Sequence, residues 1–121
     1  MSQPQHIFKA FANAFNGMGN FFLHERNGKI QLSFAIVVII AGYYFTLSAT
    51  EWMFILLCIG AVISAEMMNS ALEKLCDLVQ KEYHPTIKII KDVAAAAVLW
   101  FTIISVIIGI IIFLPKFIAL L

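Results

Sequence analysis

Residues 65–77 read Ala65-Glu66-Met67-Met68-Asn69-Ser70-Ala71-Leu72-Glu73-Lys74-Leu75-Cys76-Asp77, and they close an apolar run that begins at Trp52. On a helix of 3.6 residues per turn, Glu66, Asn69, Glu73 and Asp77 fall at about 0°, 300°, 340° and 20°. Three acids and an amide therefore share one narrow stripe of a helix otherwise suited to a membrane. A carboxylate at bilayer depth costs at least roughly 2.5–3.5 kcal/mol, and neighbouring carboxylates repel one another. Such a stripe persists where something cationic meets it. It reads as the face that meets a metal ion and phosphate in a membrane-embedded enzyme.

The rest of the composition agrees. Hydrophobic residues make up 62% of the 121 residues and charged ones 12%, against a usual charged share of about 25%. A net charge of +1 excludes the strongly basic surface of a nucleic-acid binder. The length fits a single domain over 1–121. Cys58 and Cys76 would lie about 27 Å apart on one helix, far beyond disulfide reach, and are expected to be free thiols. The opening MSQPQHIFKA has no apolar core followed by small residues, so no cleaved signal is expected.

Taken in order, the chain predicts an all-α polytopic membrane protein. From 6 to 24 it is amphipathic at helical period: Phe8, Phe11, Phe15, Met18 and Phe22 cover one face, while Lys9, Asn13, Asn16, Asn20 and His24 gather opposite. This reads as a helix lying in the membrane interface, with Gly17 and Gly19 able to bend it or admit a neighbour. Glu25 to Lys29 reads as a polar hinge. Three spans follow, at about 30–47, 52–79 and 93–114, the first and third near the ~20 residues needed to cross and the second running beyond it. Tyr43 and Tyr44 suit the far interface, and Ser48 to Glu51 reads as a tight turn. Gln80 to Lys91 is expected to be a polar link, Asp92 a cap for the third span, and Pro115-Lys116 its end. Ala94 to Ala97 permit close helix contact.

Basic residues orient the chain. Lys9, Arg26, Lys29, Lys74, Lys81, Lys88 and Lys91 fall on one side and Lys116 on the other, which predicts a cytoplasmic N-terminus and an outer C-terminus. Every acid but Glu51 lies on that cytoplasmic side. Carboxylates from two segments, Glu25 and Glu73, suit a hard divalent ion such as Mg²⁺, which takes one or two carboxylates plus phosphate oxygens. Glu66 lies deepest, which suits a general base acting on a hydroxyl at bilayer depth. The chain has no GxxxxGK[ST] and no GxGxxG, so a nucleotide site would differ from the common soluble ones. The residues alone leave alternatives open. The stripe could be an ion relay in a small transporter, Lys74 a solvated helix end, Glu25 with Arg26 a surface ion pair, Asp92 a cap, His84 a loop histidine and Tyr83 an interface anchor.

The pattern Glu66-x-x-Asn69-Ser70-Ala71-Leu72-Glu73-x-x-x-Asp77, then Glu82-Tyr83-His84-Pro85 and Lys91-Asp92-Val93-Ala94-Ala95, resembles the prokaryotic diacylglycerol kinase family, which includes undecaprenol kinases. The likeness runs from about Lys9 through Gly17 and Glu25-Arg26-Asn27 to Lys116. It implies an integral-membrane lipid kinase that moves the γ-phosphate of ATP to a lipid hydroxyl, giving a lipid phosphate for envelope or phospholipid metabolism. It also implies a homotrimer with active sites shared between subunits at the cytoplasmic interface of the inner membrane. By that resemblance Glu66 is the general base and Asn69 positions the site. Glu25 and Glu73 hold the divalent ion, while Asp77, Glu82, Tyr83, His84, Lys91 and Asp92 line the nucleotide side. Asn13 and His6 depart from the family pattern and take no role, and Gly28 stands where a bulkier residue is usual. Ala95 stands where diacylglycerol-preferring members tend to carry Ser. With His84-Pro85 and the closing Phe113-Leu114-Pro115-Lys116, it favours a polyprenol acceptor over diacylglycerol.

Overall fold

The computed structural model describes residues 4–121. Residues 1–3, on which part of the reading of an uncleaved N-terminus falls, lie outside them. Four helices follow one another: α1 Pro4–His24, α2 Arg26–Tyr44, α3 Ala49–Val79 and α4 Pro85–Leu120.

α1 keeps the amphipathic pattern, with Phe8, Phe11, Phe15 and Met18 all exposed. Phe21 is its buried residue, turned into the elbow with α2. Gly17 and Gly19 have no neighbour within 4 Å, so neither admits another element of this chain. The expected five-residue hinge contracts to one residue: only Glu25, at φ −101° and ψ 137°, is extended before α2 begins. Such a short elbow needs close approach. At Gly28 a Cβ would lie 2.0 Å from the Phe21 carbonyl oxygen, so the missing side chain is what lets α1 rest on α2.

α2 stops at Tyr44, three residues short of the expected end. Thr46 sits at φ 51°, the Thr46 amide donates to the Tyr43 carbonyl at 3.3 Å, and the Leu47 amide donates to the Gly42 carbonyl at 3.2 Å. That paired closure is the Schellman arrangement, which ends helices at a left-handed residue. Ser48 to Glu51, read as a turn, instead opens α3. The Ser48 hydroxyl accepts from the Glu51 amide at 3.2 Å, and the Glu51 carboxylate accepts from the Ser48 amide at 2.9 Å. This reciprocal box satisfies two otherwise orphaned donors.

α3 and α4 form the most extensive helix pair. Leu47, Ile55 and Ile112 make the buried core, with Val38, Trp52, Ile59, Ile108 and Phe113 against it. This core lies near the α3 N-terminus, toward the end opposite the acid stripe. Two expectations about α4 are corrected. Asp92 does not cap it: the helix begins two turns earlier, where His84 Nδ1 accepts from the Thr86 amide at 3.2 Å and Pro85 occupies the first turn. A proline there loses nothing, because that N–H has no helical partner. Nor does Pro115 end the helix, which continues to Leu120. One backbone bond is lost at Pro115, and such losses are tolerated in long apolar helices. The next residue, Lys116, is 3.1 Å from Glu51, and both side chains are about a quarter exposed, so the segment beyond the proline is tied to α3.

Two of the described helices, α3 and α4, are long and apolar enough to cross a membrane. At 1.5 Å per residue they run to about 46 and 54 Å, well beyond a ~30 Å hydrocarbon core. α2, expected as the first span, is not among them. Its opening turn is Arg26-Asn27-Gly28-Lys29, and the Schellman closure removes residues 45–47 from its apolar stretch. Cys58 and Cys76 are free thiols, as expected.

Candidate active site

The acid stripe forms as one face of the last third of α3. Glu66, Asn69 and Ser70 are its deepest members, only 7%, 6% and 6% exposed, and they are the buried polar residues of the described chain. Burying such groups is costly unless each is hydrogen-bonded. Glu66 Oε1 accepts from Asn27 Nδ2 at 3.2 Å, which ties the deepest acid to the first turn of α2. Asn69 Oδ1 is buried without a partner. An orphaned buried acceptor calls for a donor from a substrate, a water or another subunit.

One turn further along, Glu25, Arg26, Asn27, Ser70, Glu73, Lys74 and Asp77 line a pocket of about 250 Å³. The elbow supplies the first three and α3 the others. Lys74 Nζ lies 2.6 Å from Glu25 Oε2. That ammonium, with a smaller contribution from the Ser70 hydroxyl, holds the Glu25 carboxyl below its ordinary value against the opposing effect of burial. Lys91 Nζ, reaching from α4, lies 2.6 Å from Asp77 Oδ1 at the pocket rim. Lys74 is solvated, as read from the sequence, but it is also paired, and the partner of Glu25 is Lys74 rather than Arg26.

The remaining expected residues lie apart from this pocket in the subunit. Glu82, Tyr83 and His84 sit in the exposed link between α3 and α4. His84 is engaged as the α4 cap, and Asp92 is 2.6 Å from Lys88 on the exposed side of α4. No group of three or more His, Cys, Asp or Glu side chains that could cage a metal occurs among the described residues. The pocket instead offers three carboxylates, Glu25, Glu73 and Asp77, the last paired with Lys91. Glu25 and Glu73 suit an ion such as Mg²⁺ that completes its shell with phosphate oxygens and water. An apolar cavity of about 400 Å³ lies between α2, α3 and α4, lined by residues including Phe34, Val38, Ile59, Val62 and Val106.

Three contributors escaped the sequence reading. Ser70 falls about 40° from Glu66 on the helical wheel, so the stripe itself contained it. Lys74 follows Glu73 directly but reaches across 49 positions to Glu25. Asn27 reaches Glu66 across 39 positions, a pairing that spacing does not reveal.

Comparison with known proteins decides the family. The model for prokaryotic diacylglycerol kinase matches residues 12–113. The chain belongs to that family. An undecaprenol kinase of Bacillus subtilis (strain 168) is 44% identical over 110 residues, covering 91% of this chain and 89% of the relative. A diacylglycerol kinase of Synechocystis sp. is 35% identical over 115 residues, covering 94% and 66%. Another from Helicobacter pylori is 32% identical over 92 residues, covering 75% and 71%. The chain is thus a prokaryotic lipid kinase and a membrane protein, and its family implies a nucleotide as phosphate donor. Nothing in the fold or among these relatives supports the ion-relay alternative.

Proposed function

We propose that this kinase transfers the γ-phosphate of ATP to the hydroxyl of a membrane lipid, with undecaprenol the favoured acceptor and diacylglycerol next. The observation that carries the reading is the pairing of a buried carboxylate with a charged pocket one turn further along α3: Glu66 beneath, with Glu73 of the same helix and Glu25 of the elbow above. In this reading Glu66 takes the proton from the lipid hydroxyl, held in orientation by Asn27. Asn69 positions the reacting groups through its unpartnered Oδ1. Glu25 and Glu73 would hold Mg²⁺, whose chemistry there is to neutralise phosphate charge. Lys91 and Asp77 form the nucleotide-side rim, with Glu82, Tyr83, His84 and Asp92 closing over the nucleotide from the adjoining link and helix.

Phosphoryl transfer asks the protein for positioning and charge neutralisation more than for covalent chemistry. A site where the α3 stripe emerges from the apolar layer meets a lipid hydroxyl from one side and a soluble nucleotide from the other. The working form is a homotrimer of subunits whose single domain carries an interfacial α1 and three spans. The most apolar stretch of α4 is almost wholly exposed in one subunit, which is the surface that lipid or neighbouring subunits would cover. Seven of the eight basic residues fall on one side of the spans read from the sequence, which favours a cytoplasmic site in the inner membrane with the N-terminus inside and the C-terminus outside. The favoured acceptor follows the 44% identity to the Bacillus undecaprenol kinase.

The test is incubation with labelled ATP, Mg²⁺ and a panel of polyprenols and diacylglycerols in mixed micelles. Phosphorylated polyprenol in preference to phosphatidic acid is the expected product. Glu66→Gln should leave a folded protein without transfer, and Glu73→Gln should raise the Mg²⁺ requirement or abolish activity. Full turnover by purified Glu66→Gln would remove the base from its role.

A further inference from the structure

We infer that Lys74 is a built-in counter-cation for Glu25, occupying with its ammonium the charge position that a divalent ion takes over when the site is loaded. The inference rests on the reading of Glu25 as a metal-holding carboxylate and adds a residue that reading does not use.

The argument begins with an asymmetry of exposure. Glu25 is 20% exposed at the side chain and Lys74 61%. The carboxylate is the partner withdrawn from water, so it is the one that needs a counter-charge. The lysine, solvated along most of its length, can leave at small cost. An exposed lysine–carboxylate contact contributes little, because solvent screens it and a long side chain must be held still. The same pocket brings Glu73 beside Glu25, so the charge to be neutralised exceeds what one ammonium supplies. A monovalent cation on a flexible stem, in a pocket lined by Glu25, Glu73 and Asp77, is a replaceable partner. By contrast the Lys116–Glu51 pair, with both side chains about a quarter exposed, holds helix ends together and faces no second acid of the pocket.

Two consequences separate this role from a simple structural tie. Removing the ammonium should make Glu25 more available to a divalent ion while leaving the unloaded elbow less stable. A residue that only braced the elbow would weaken metal binding and stability together. Its displacement also frees a cation beside the metal position, at the place where phosphate oxygens arrive.

The experiment is titration of Mn²⁺ into wild type, Lys74→Met, Lys74→Arg and Glu25→Gln in detergent, without nucleotide. Free Mn²⁺ is followed by electron paramagnetic resonance, and thermal unfolding of the same samples is recorded without metal. Lys74→Met is expected to bind Mn²⁺ tighter, by up to about five-fold, the ceiling set by the worth of such an ion pair. It should also melt at lower temperature without metal. Lys74→Arg should stay near wild type in both. If Lys74→Met does not fold, Lys74→Gln replaces it in the same titration. Unchanged or weaker Mn²⁺ binding by the neutral variant, with binding still abolished by Glu25→Gln, overturns the inference but leaves Glu25 as a ligand. Wild type and Glu25→Gln binding alike overturns both.

Discussion

Substituting Gly28 by alanine tests the elbow that carries Glu25 and Asn27. On an isolated helix the change is favourable by about 0.5–1 kcal/mol, because glycine loses more backbone freedom on folding. In this position the added Cβ would stand 2.0 Å from the Phe21 carbonyl oxygen and 2.7 Å from its carbon. These are backbone atoms, so no side-chain rotation relieves them. Restoring ordinary contact at 3.4 Å or more requires a shift of about 1.4 Å between α1 and α2. Forcing an extra carbon into packed structure costs typically about 1–3 kcal/mol, which exceeds the propensity gain. The net effect should be a destabilisation of about 1–2 kcal/mol. The larger consequence is positional, since Glu25 lies between the two helices being pushed apart, and a misplacement of about 1 Å can lower turnover by about 10²-fold. Lipid phosphorylation in mixed micelles, with thermal unfolding on the same preparation, should show a 10- to 100-fold loss of turnover and a lower melting point. Gly17→Ala is the matched control: nothing lies within 4 Å of its added carbon, so it should keep activity and melt at the same or a higher temperature. Wild-type turnover in Gly28→Ala with an unlowered melting point would refute the close-approach argument.

Asn27→Ala removes the donor to buried Glu66 Oε1. A hydrogen bond to a charged group is worth about 1.5–3 kcal/mol, so the maximal rate should fall about ten-fold or more with little change in nucleotide KM, as steady-state kinetics would read. Thr46→Gly relieves a β-branched residue at φ 51°; a left-handed conformation costs an ordinary residue about 1–2 kcal/mol, and the variant should melt higher despite losing the 2.7 Å bond from Thr46 Oγ1 to the Phe45 carbonyl. Glu25 has its carboxyl held below its ordinary 4.5 by Lys74. A depressed folded value gives stability that is present above the unfolded value and lost as pH falls through the folded one. Unfolding followed from pH 6 downward should therefore show an acid-dependent loss below about 4.5 in wild type that is diminished in Lys74→Met.

The stripe was legible because its signal is local: helical period alone places Glu66, Asn69, Glu73 and Asp77 on one face, and burial of Glu66 and Asn69 follows. The order of the four helices was legible for the same reason. Boundaries were not. Pro115 normally signals a helix end, but here the tie from Lys116 to Glu51 holds the following turn in place. Asp92 looks like a cap, yet His84 with Pro85 starts the helix earlier, because a histidine nitrogen can accept the Thr86 amide. The Glu25–Lys74 and Asn27–Glu66 contacts were not legible, since both depend on how tightly the elbow closes. That closure was visible only as a glycine in an unexpected place.

The four ion pairs among the described residues sort by what water can reach. Lys88 and Asp92 are both more than half exposed, one turn apart on α4, and hold little. Lys116 and Glu51 are both largely withdrawn and fasten α4 to the start of α3. At the pocket Lys74 is exposed over the sheltered Glu25, whereas Lys91 and Asp77 are both more than a third exposed. A pair of the first kind leaves one charge in need of a partner and the other free to exchange it. The Glu25 pair offers a sheltered anion, which suits a metal, and the Lys91 pair an accessible cation, which suits a phosphate. Both stand above the buried Glu66, further along α3. A charge arrangement that can open on both sides without unfolding is what a transfer site for a metal-bound nucleotide requires, and it is confined to the end of α3 where the apolar layer stops.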